Sequence, residues 1–217
     1  MSVGCSKAGV FLLIAAIVSL LAVGPAAAVE VAEAEALVKN VVADASAAFS
    51  GGSINRDEAK AGIGILVEKY ADVPFEAELL LGRHWRKADA EQRKAFTDVL
   101  VPFFVATYGE MIDDAQAKPR IDVLGGEPVE GGVLVHSLLV PPGEEAVKVD
   151  WTIAVTPAGK VVVADIAADG VTLVTTMRSD FTSVIRSGGG RIEALVEAMK
   201  KKIDRQSVPA KRQSGGG

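Results

Sequence analysis

From Glu30 to Phe49, apolar side chains recur every three or four positions, at Val31, Ala34, Leu37, Val38, Val41, Val42, Ala45 and Phe49, until Ser50-Gly51-Gly52 breaks the run. That spacing gathers them on one side of an α-helix. A second helix starts near Asn55, with Asn55 or Asp57 as its cap and Ile63, Leu66, Val67 and Tyr70 on its inner face. Pro74 suits the first turn of a third, Pro74 to Gly82, whose apolar face includes Phe75, Leu79 and Leu80. Asp89, with Gln92 three residues on, forms a capping-box pattern at the head of a long helix reaching about Ala115. Its stripe is Phe96, Val99, Leu100, Phe103, Phe104, Thr107, Tyr108 and Met111. Pro102 falls in its interior, where it removes one backbone hydrogen bond and bends or loosens the helix.

The period then changes from helical to alternating. Arg120 to Leu124, Val133 to Val140, Ala146 to Val155 and Lys160 to Ala168 are β-branched runs separated by Gly-Gly-Glu-Pro, Pro-Pro-Gly and Thr-Pro-Ala-Gly, which predicts four antiparallel strands. Val147, Val149, Trp151, Ile153 and Val155 share one face, and Lys148, Asp150, Thr152 and Ala154 the other. Asp169-Gly170 reads as a turn, and two helices follow, about Thr176 to Ser187 and Gly190 to Lys202. Helices, then strands, then helices predict an α+β fold with helices laid on one face of a twisted sheet.

The N-terminus adds a compartment to this picture. Lys7 precedes an uncharged apolar run from Ala8 to Gly24 and the small residues Ala26-Ala27-Ala28, the composition of a secretory signal peptide cleaved after Ala28. The run of about seventeen residues also approaches the length of a membrane anchor. Cys5 is the one cysteine of the chain and leaves with the signal, so the mature protein has no thiol for a disulfide, a nucleophile or a metal ligand. The remaining length, about 190 residues, suffices for one domain, expected over residues 29–203. The formal net charge is −5, and positive charge collects at the end, in Lys200, Lys201, Lys202, Arg205, Lys211 and Arg212. Residues 204–217 read as a basic tail, either a solvated terminus or a contact to anionic headgroups. The acidic body excludes nucleic acid as a partner.

Catalytic chemistry is sparse. His84 and His136 fall on different elements without metal-ligand spacing, so no metal site is expected. Gly188-Gly189-Gly190 could cradle a phosphate ahead of a helix, or form the tight turn between two helices. Around His84, the residues Arg83, Trp85, Arg86 and Lys87 form either a basic rim for a lipid phosphate or acidic partner, or an exposed loop whose tryptophan packs on a neighbouring helix. Asp150, Asp165 and Tyr108 would be the acid and phenol of an isomerase-like enzyme with an apolar pocket, although strand alternation points both aspartates outward.

Two blocks carry a resemblance. The stretch from Asp165 to Gly190, DIAADGVTLVTTMRSDFTSVIRSGGG, with Gly170-Val171, Thr175-Thr176, Phe181, Ile185 and Arg186 in step, and the stretch from Leu79 to Phe96, LLLGRHWRKADAEQRKAF, resemble the MlaC (toluene-tolerance) family in the same order. The resemblance covers nearly all of the mature chain, most weakly from Val29 to Asn55 and before Lys148. It implies a curved four-stranded antiparallel sheet and surrounding helices that enclose a deep apolar lipid pocket. It also implies a periplasmic phospholipid carrier, without enzymatic activity or cofactor, that maintains outer-membrane lipid asymmetry. Its partners would be an inner-membrane ABC transporter lipid-transfer complex and an outer-membrane lipoprotein complex. A related cargo such as a hopanoid is the alternative within the same class.

A lipid with two acyl chains is held in its membrane by roughly 20 kcal/mol, at about 0.8 kcal/mol per methylene. A carrier must therefore offer walls as dry as the bilayer. The expected walls are Phe75 and Leu79 of the third helix and Phe96, Val99, Leu100, Phe103, Phe104 and Tyr108 of the long helix. Opposite them stand Trp151, Ile153, Val163 and Ile166 of the sheet, with Val171, Leu173, Val174, Phe181 and Ile185 closing the space. The same residues could instead pack against one another as an ordinary core.

Overall fold

The computed structural model describes residues 29–49, 56–109 and 120–207. The expected signal sequence, the link between the first two helices, Met111 with the expected end of the long helix at Ala115, and the last ten residues lie outside them. Helices α1 (Val31–Ala48), α2 (Arg56–Tyr70), α3 (Val73–Leu81) and α4 (Ala90–Tyr108) precede strands β1 (Arg120–Val129), β2 (Gly132–Val140), β3 (Val147–Val155), β4 (Val161–Ala168) and β5 (Val171–Thr172). Helices α5 (Leu173–Ser187) and α6 (Ile192–Ser207) follow, and a 3-10 helix, Gly82–Lys87, joins α3 to α4.

Helix ends follow their local chemistry. The Asp89 side chain accepts from Gln92 N while the Gln92 side chain accepts from Asp89 N, which completes the expected capping box of α4. Asp72 Oδ1 accepts from Phe75 N at the head of α3, where Pro74 occupies the first turn. Helix α3 ends at Gly82, whose φ of 51° suits glycine. A side chain at Gly82 would also meet Arg178 of α5, whose Nε donates to Leu79 O at 3.0 Å. The tri-glycine segment is a turn: Gly188, Gly189 and Gly190 N–H groups donate to Val184, Arg186 and Ile185 carbonyls as α5 closes.

The sheet is an antiparallel meander in the order β1-β2-β3-β4-β5, five strands where the sequence pattern gives four. The extra strand follows from the turn chemistry. Asp169 and Gly170 both have positive φ, 48° and 81°, the two-residue hairpin turn whose twist matches paired strands. Val171 therefore pairs with Ala168 and Thr172 with Ala167. Thr172 Oγ1 then accepts from Thr175 N and starts α5 at Leu173, three residues before the expected Thr176. Strand β1 continues to Val129, past the Gly125-Gly126 expected to end it, because a bulge at Leu124 absorbs the irregularity. Pro128 is tolerated because β1 is an edge strand.

Apolar burial divides into two clusters. The first joins α3, α4, α5 and α6 through Leu80, Leu81, Phe96, Val99, Leu100, Phe181, Ile185, Leu195 and Met199. Phe181 meets Phe96 edge-on at 5.6 Å and Phe103 at 5.8 Å. The second joins α1 to the sheet through Ala34, Val38, Val133, Val135, Val149, Trp151 and Ile153. The two meet along a seam, and the seam is where the molecule is hollow.

Candidate functional site

A half-enclosed cavity of ≈ 320 Å³ occupies that seam. Val41 and Ala45 of α1, Leu66, Val67 and Tyr70 of α2, Ala71, and Val73, Glu76 and Leu80 of α3 line one part of it. Leu100, Val101 and Phe104 of α4, Trp151 of β3, Val163, Ala164, Asp165 and Ile166 of β4, and Leu173 and Val174 of α5 line the rest. Its volume falls at the lower end of the roughly 300–1,000 Å³ of ligand pockets. An engineered apolar void of about 150 Å³ already stays dry and binds small hydrocarbons. Walls of this kind suit an alkyl chain.

A β-bulge builds the sheet side. Ile153 pairs with Val163 and Trp151 with Ile166, so two residues three apart on β4 oppose two residues two apart on β3. The extra residue interrupts the alternation and lets four consecutive residues, Val163 to Ile166, reach the cavity. This corrects the outward phase that alternation assigns to Asp165, which lines the cavity.

Of the seventeen apolar residues expected as walls, seven line the cavity: Leu100, Phe104, Trp151, Val163, Ile166, Leu173 and Val174. The structure places Phe96, Val99, Phe181 and Ile185 in the helical core, with Phe103 packed against it, and Ile153 in the sheet core. Phe75 and Leu79 are partly buried on α3 away from the cavity lining, and the Tyr108 ring lies 5.7 Å from that of Phe104. Val171 is 67% exposed, because the hairpin turn holds it on the outermost strand. The lining also draws on positions outside that expectation. For Val41, Ala45, Leu66, Val67 and Tyr70 the helical stripe was the available signal. Val101, Ala164 and Glu76 carry none.

Among the described residues, four lining side chains bear polar atoms, and three of them have partners within the protein. Trp151 Nε1 donates to Ser137 Oγ at 2.9 Å, and Ser137 Oγ donates to Val149 O at 2.9 Å. Tyr70 OH donates to Asp44 Oδ2 at 2.7 Å, fastening α2 to α1. Asp165 Oδ1 accepts from Ile166 N at 2.8 Å and Val174 N at 3.0 Å, so it ties β4 to the first turn of α5. Glu76 differs. Its Oε1 is buried with no hydrogen-bond partner, and desolvation, with the charges of Asp165 and Asp72, pushes its pKa up to about 8. The folded protein therefore holds this proton through neutral pH, whereas an exposed glutamate releases it near 4.5. The stability that this proton contributes is fully present below that ordinary value and is lost as pH rises through about 8.

The enzymatic candidates do not converge. Asp165 lines the cavity, Tyr108 and Asp150 do not. Asp150 lies 2.7 Å from His136 Nδ1 and 3.1 Å from Lys148 Nζ. Desolvation raises its pKa, but the hydrogen bonds from His136 and Lys148 outweigh that and hold it below the usual carboxylate value. Trp85 packs against the helical core with the Arg93 guanidinium 5.0 Å above its ring, the packed arrangement for the segment from Arg83 to Lys87. Burial, reinforced by Arg83 and Lys87, lowers the His84 pKa. Among the described residues, no group of three or more His, Cys, Asp or Glu side chains could hold a metal ion, and no helix is long and apolar enough to cross a membrane.

Comparison with known proteins agrees with the fold. The family model described as MlaC protein matches residues 35–201. Among solved structures, the phospholipid-binding protein from Ralstonia solanacearum, determined in complex with a phospholipid, is similar with a TM-score of 0.68 and 23% identity, over 81% of this chain and 99% of that one. No curated protein sequence matches.

Proposed function

The chain belongs to the MlaC family, and from that premise we propose that it is a periplasmic phospholipid carrier, soluble once a signal peptide ending at Ala28 has been removed. The observation that carries this reading is the cavity between the helical and sheet cores, whose walls are aliphatic and aromatic on every element that reaches it. The similar Ralstonia protein holds a phospholipid on the same fold. A lipid tail in such walls exchanges one dry environment for another, so transfer from a bilayer is nearly isoenergetic, whereas passage through water costs about 0.8 kcal/mol per methylene. Among the described residues, the polar functions of the wall are few, and no reacting constellation of acid, base and nucleophile gathers there.

In this reading residues 29–203 are the lipid-binding domain and residues 204–217 a basic tail. The cargo moves between the inner and outer membranes, with an inner-membrane ABC transporter lipid-transfer complex and an outer-membrane lipoprotein complex as partners. Outer-membrane lipid asymmetry is the consequence. The test is to purify the protein from its own envelope under mild conditions, extract it with organic solvent and weigh the extract by mass spectrometry. We expect phospholipid at close to one molecule per chain. A hopanoid in the extract would replace the cargo, and an extract empty of any lipid would defeat the carrier reading.

A further inference from the structure

Among the described residues of the cavity wall, one polar group has nothing to bond to. The Trp151 indole, the Tyr70 hydroxyl and the Asp165 carboxylate all engage partners inside the fold, while Glu76 Oε1 is buried at the wall without one. A buried polar atom without a partner is unfavourable and asks for one. An alkyl tail cannot supply it. The linkage that joins tails to a headgroup can, because its ester carbonyls and phosphate oxygens are acceptors. We propose that Glu76 is the cavity's polar contact to its cargo, donating its carboxyl hydrogen to an acceptor oxygen of the lipid and thereby fixing how deep the tails enter. The inference rests on the carrier reading and adds a specificity-determining residue to it.

The electrostatics of the site agree with a donor. Among the described residues, no Lys, Arg or His lines the cavity. Two cationic side chains that bond to backbone at or beside α3 are engaged there: Lys160 Nζ donates to Ala71 O, and Arg178 Nε to Leu79 O. Asp165 of β4 and Asp72 at the cap of α3 face Glu76 as like charges and, after desolvation, resist its ionisation. Tyr70, from the end of α2, has its own pKa raised, first by burial. The groups that α1, α4 and α5 bring to the wall are apolar. Loss of the Glu76 proton turns the donor into a second acceptor beside the lipid oxygen, so lipid affinity falls as pH rises through about 8.

The experiment compares the full mature chain with Glu76→Gln, which keeps a neutral donor, and Glu76→Leu, which keeps the volume without one. Each is loaded from vesicles of diacyl phosphatidylethanolamine and phosphatidylglycerol, and separately from dialkyl ether lipids with the same headgroups. Bound lipid is counted by mass spectrometry at pH 6 and pH 9.5, with circular dichroism confirming the fold. At pH 6 we expect Glu76→Leu to bind diacyl lipid roughly three- to tenfold more weakly than the wild type, the worth of about one hydrogen bond. Glu76→Gln stays within about twofold of the wild type. At pH 9.5 the wild type weakens by roughly tenfold or more, while Glu76→Gln is unchanged. A Leu defect confined to the diacyl series assigns the acceptor to an ester carbonyl, and an equal defect with ether lipids assigns it to a phosphate oxygen. A Glu76→Leu protein that binds diacyl lipid as well as the wild type overturns the inference, as does a wild-type affinity indifferent to pH or matched in its pH response by Glu76→Gln. Should Glu76→Leu not fold, the pH comparison between wild type and Glu76→Gln decides alone. A wild type that takes lipid from none of the vesicles fails the carrier reading itself, an outcome distinct from variants that load equally well.

Discussion

Ser137 is fully buried on β2, and its hydroxyl serves two neighbours at once. It accepts from the Trp151 indole and donates to the Val149 carbonyl, so the tryptophan ring is fixed as a flat panel of the cavity wall with its polar edge turned inward. Ser137→Ala removes a small group but leaves Trp151 Nε1 a buried donor without acceptor, which costs about 1–3 kcal/mol. Thermal denaturation should register a fall in Tm of roughly 3–10 °C. A Tm equal to wild type would mean that the indole finds another partner. Ser137 sits in an alternating apolar strand, and nothing in that pattern distinguishes it from a methyl-bearing core position; its role exists only because β3 brings Trp151 alongside. Glu76 has the same character. As one acidic residue in the first turn of a helix it looks like an ordinary favourable interaction with the helix dipole. Its isolation comes from what β4 and α2 place around it.

At the scale of elements, local chemistry was strongly legible. The capping box, the proline-led start of α3 and the Asp169-Gly170 turn each depend on a few neighbouring residues, and each has its expected form. Gly170 makes the point testable. Its φ of 81° lies where a β-branched side chain is strained, and the hairpin admits few other turns. Gly170→Val should therefore cost about 1–2 kcal/mol. In denaturant titration this appears as a lower midpoint with unchanged slope. If the midpoint holds, the short β4–β5 pairing is not what positions α5. Where elements were misjudged, the cause was a bulge or a turn that conceals continuity. Gly125-Gly126 reads as a break, yet Leu124, 62% exposed, takes up the irregularity and lets β1 continue. The bulge opposite Thr152 and Ile153 likewise reverses the parity of β4 and brings Asp165 to the cavity.

For the whole molecule, function rests on two cores that meet without merging. Filling the space between them should separate folding from loading. Ala45 contributes a small side chain to the wall from α1, and Ala45→Trp would place an indole where a tail is expected to lie. The expected outcome is lipid content reduced by roughly tenfold or more, with Tm within a few degrees of wild type. Val171→Glu serves as the control, since its side chain faces solvent and should leave lipid content unchanged. If Ala45→Trp purifies with a full complement of lipid, this cavity is not the tail site.

Hydrophobic periodicity by itself determined the α+β class, the order of the helices and strands and most of their boundaries, because these depend on intervals and turn residues a few positions apart; the resemblance to a carrier family rested instead on the particular residues of two blocks, Leu79 to Phe96 and Asp165 to Gly190. Periodicity also determined that one side of α4 is buried. It could not say against what. Phe96 and Val99 belong to the helical core, whereas Val101 and Phe104 border a void, and the two pairs lie on the same helix within three turns. Burial writes the same apolar letters into a sequence whether the opposite surface is a side chain or empty space. Only the tertiary arrangement, by setting how far the helical bundle stands from the sheet, decided which of those residues became wall.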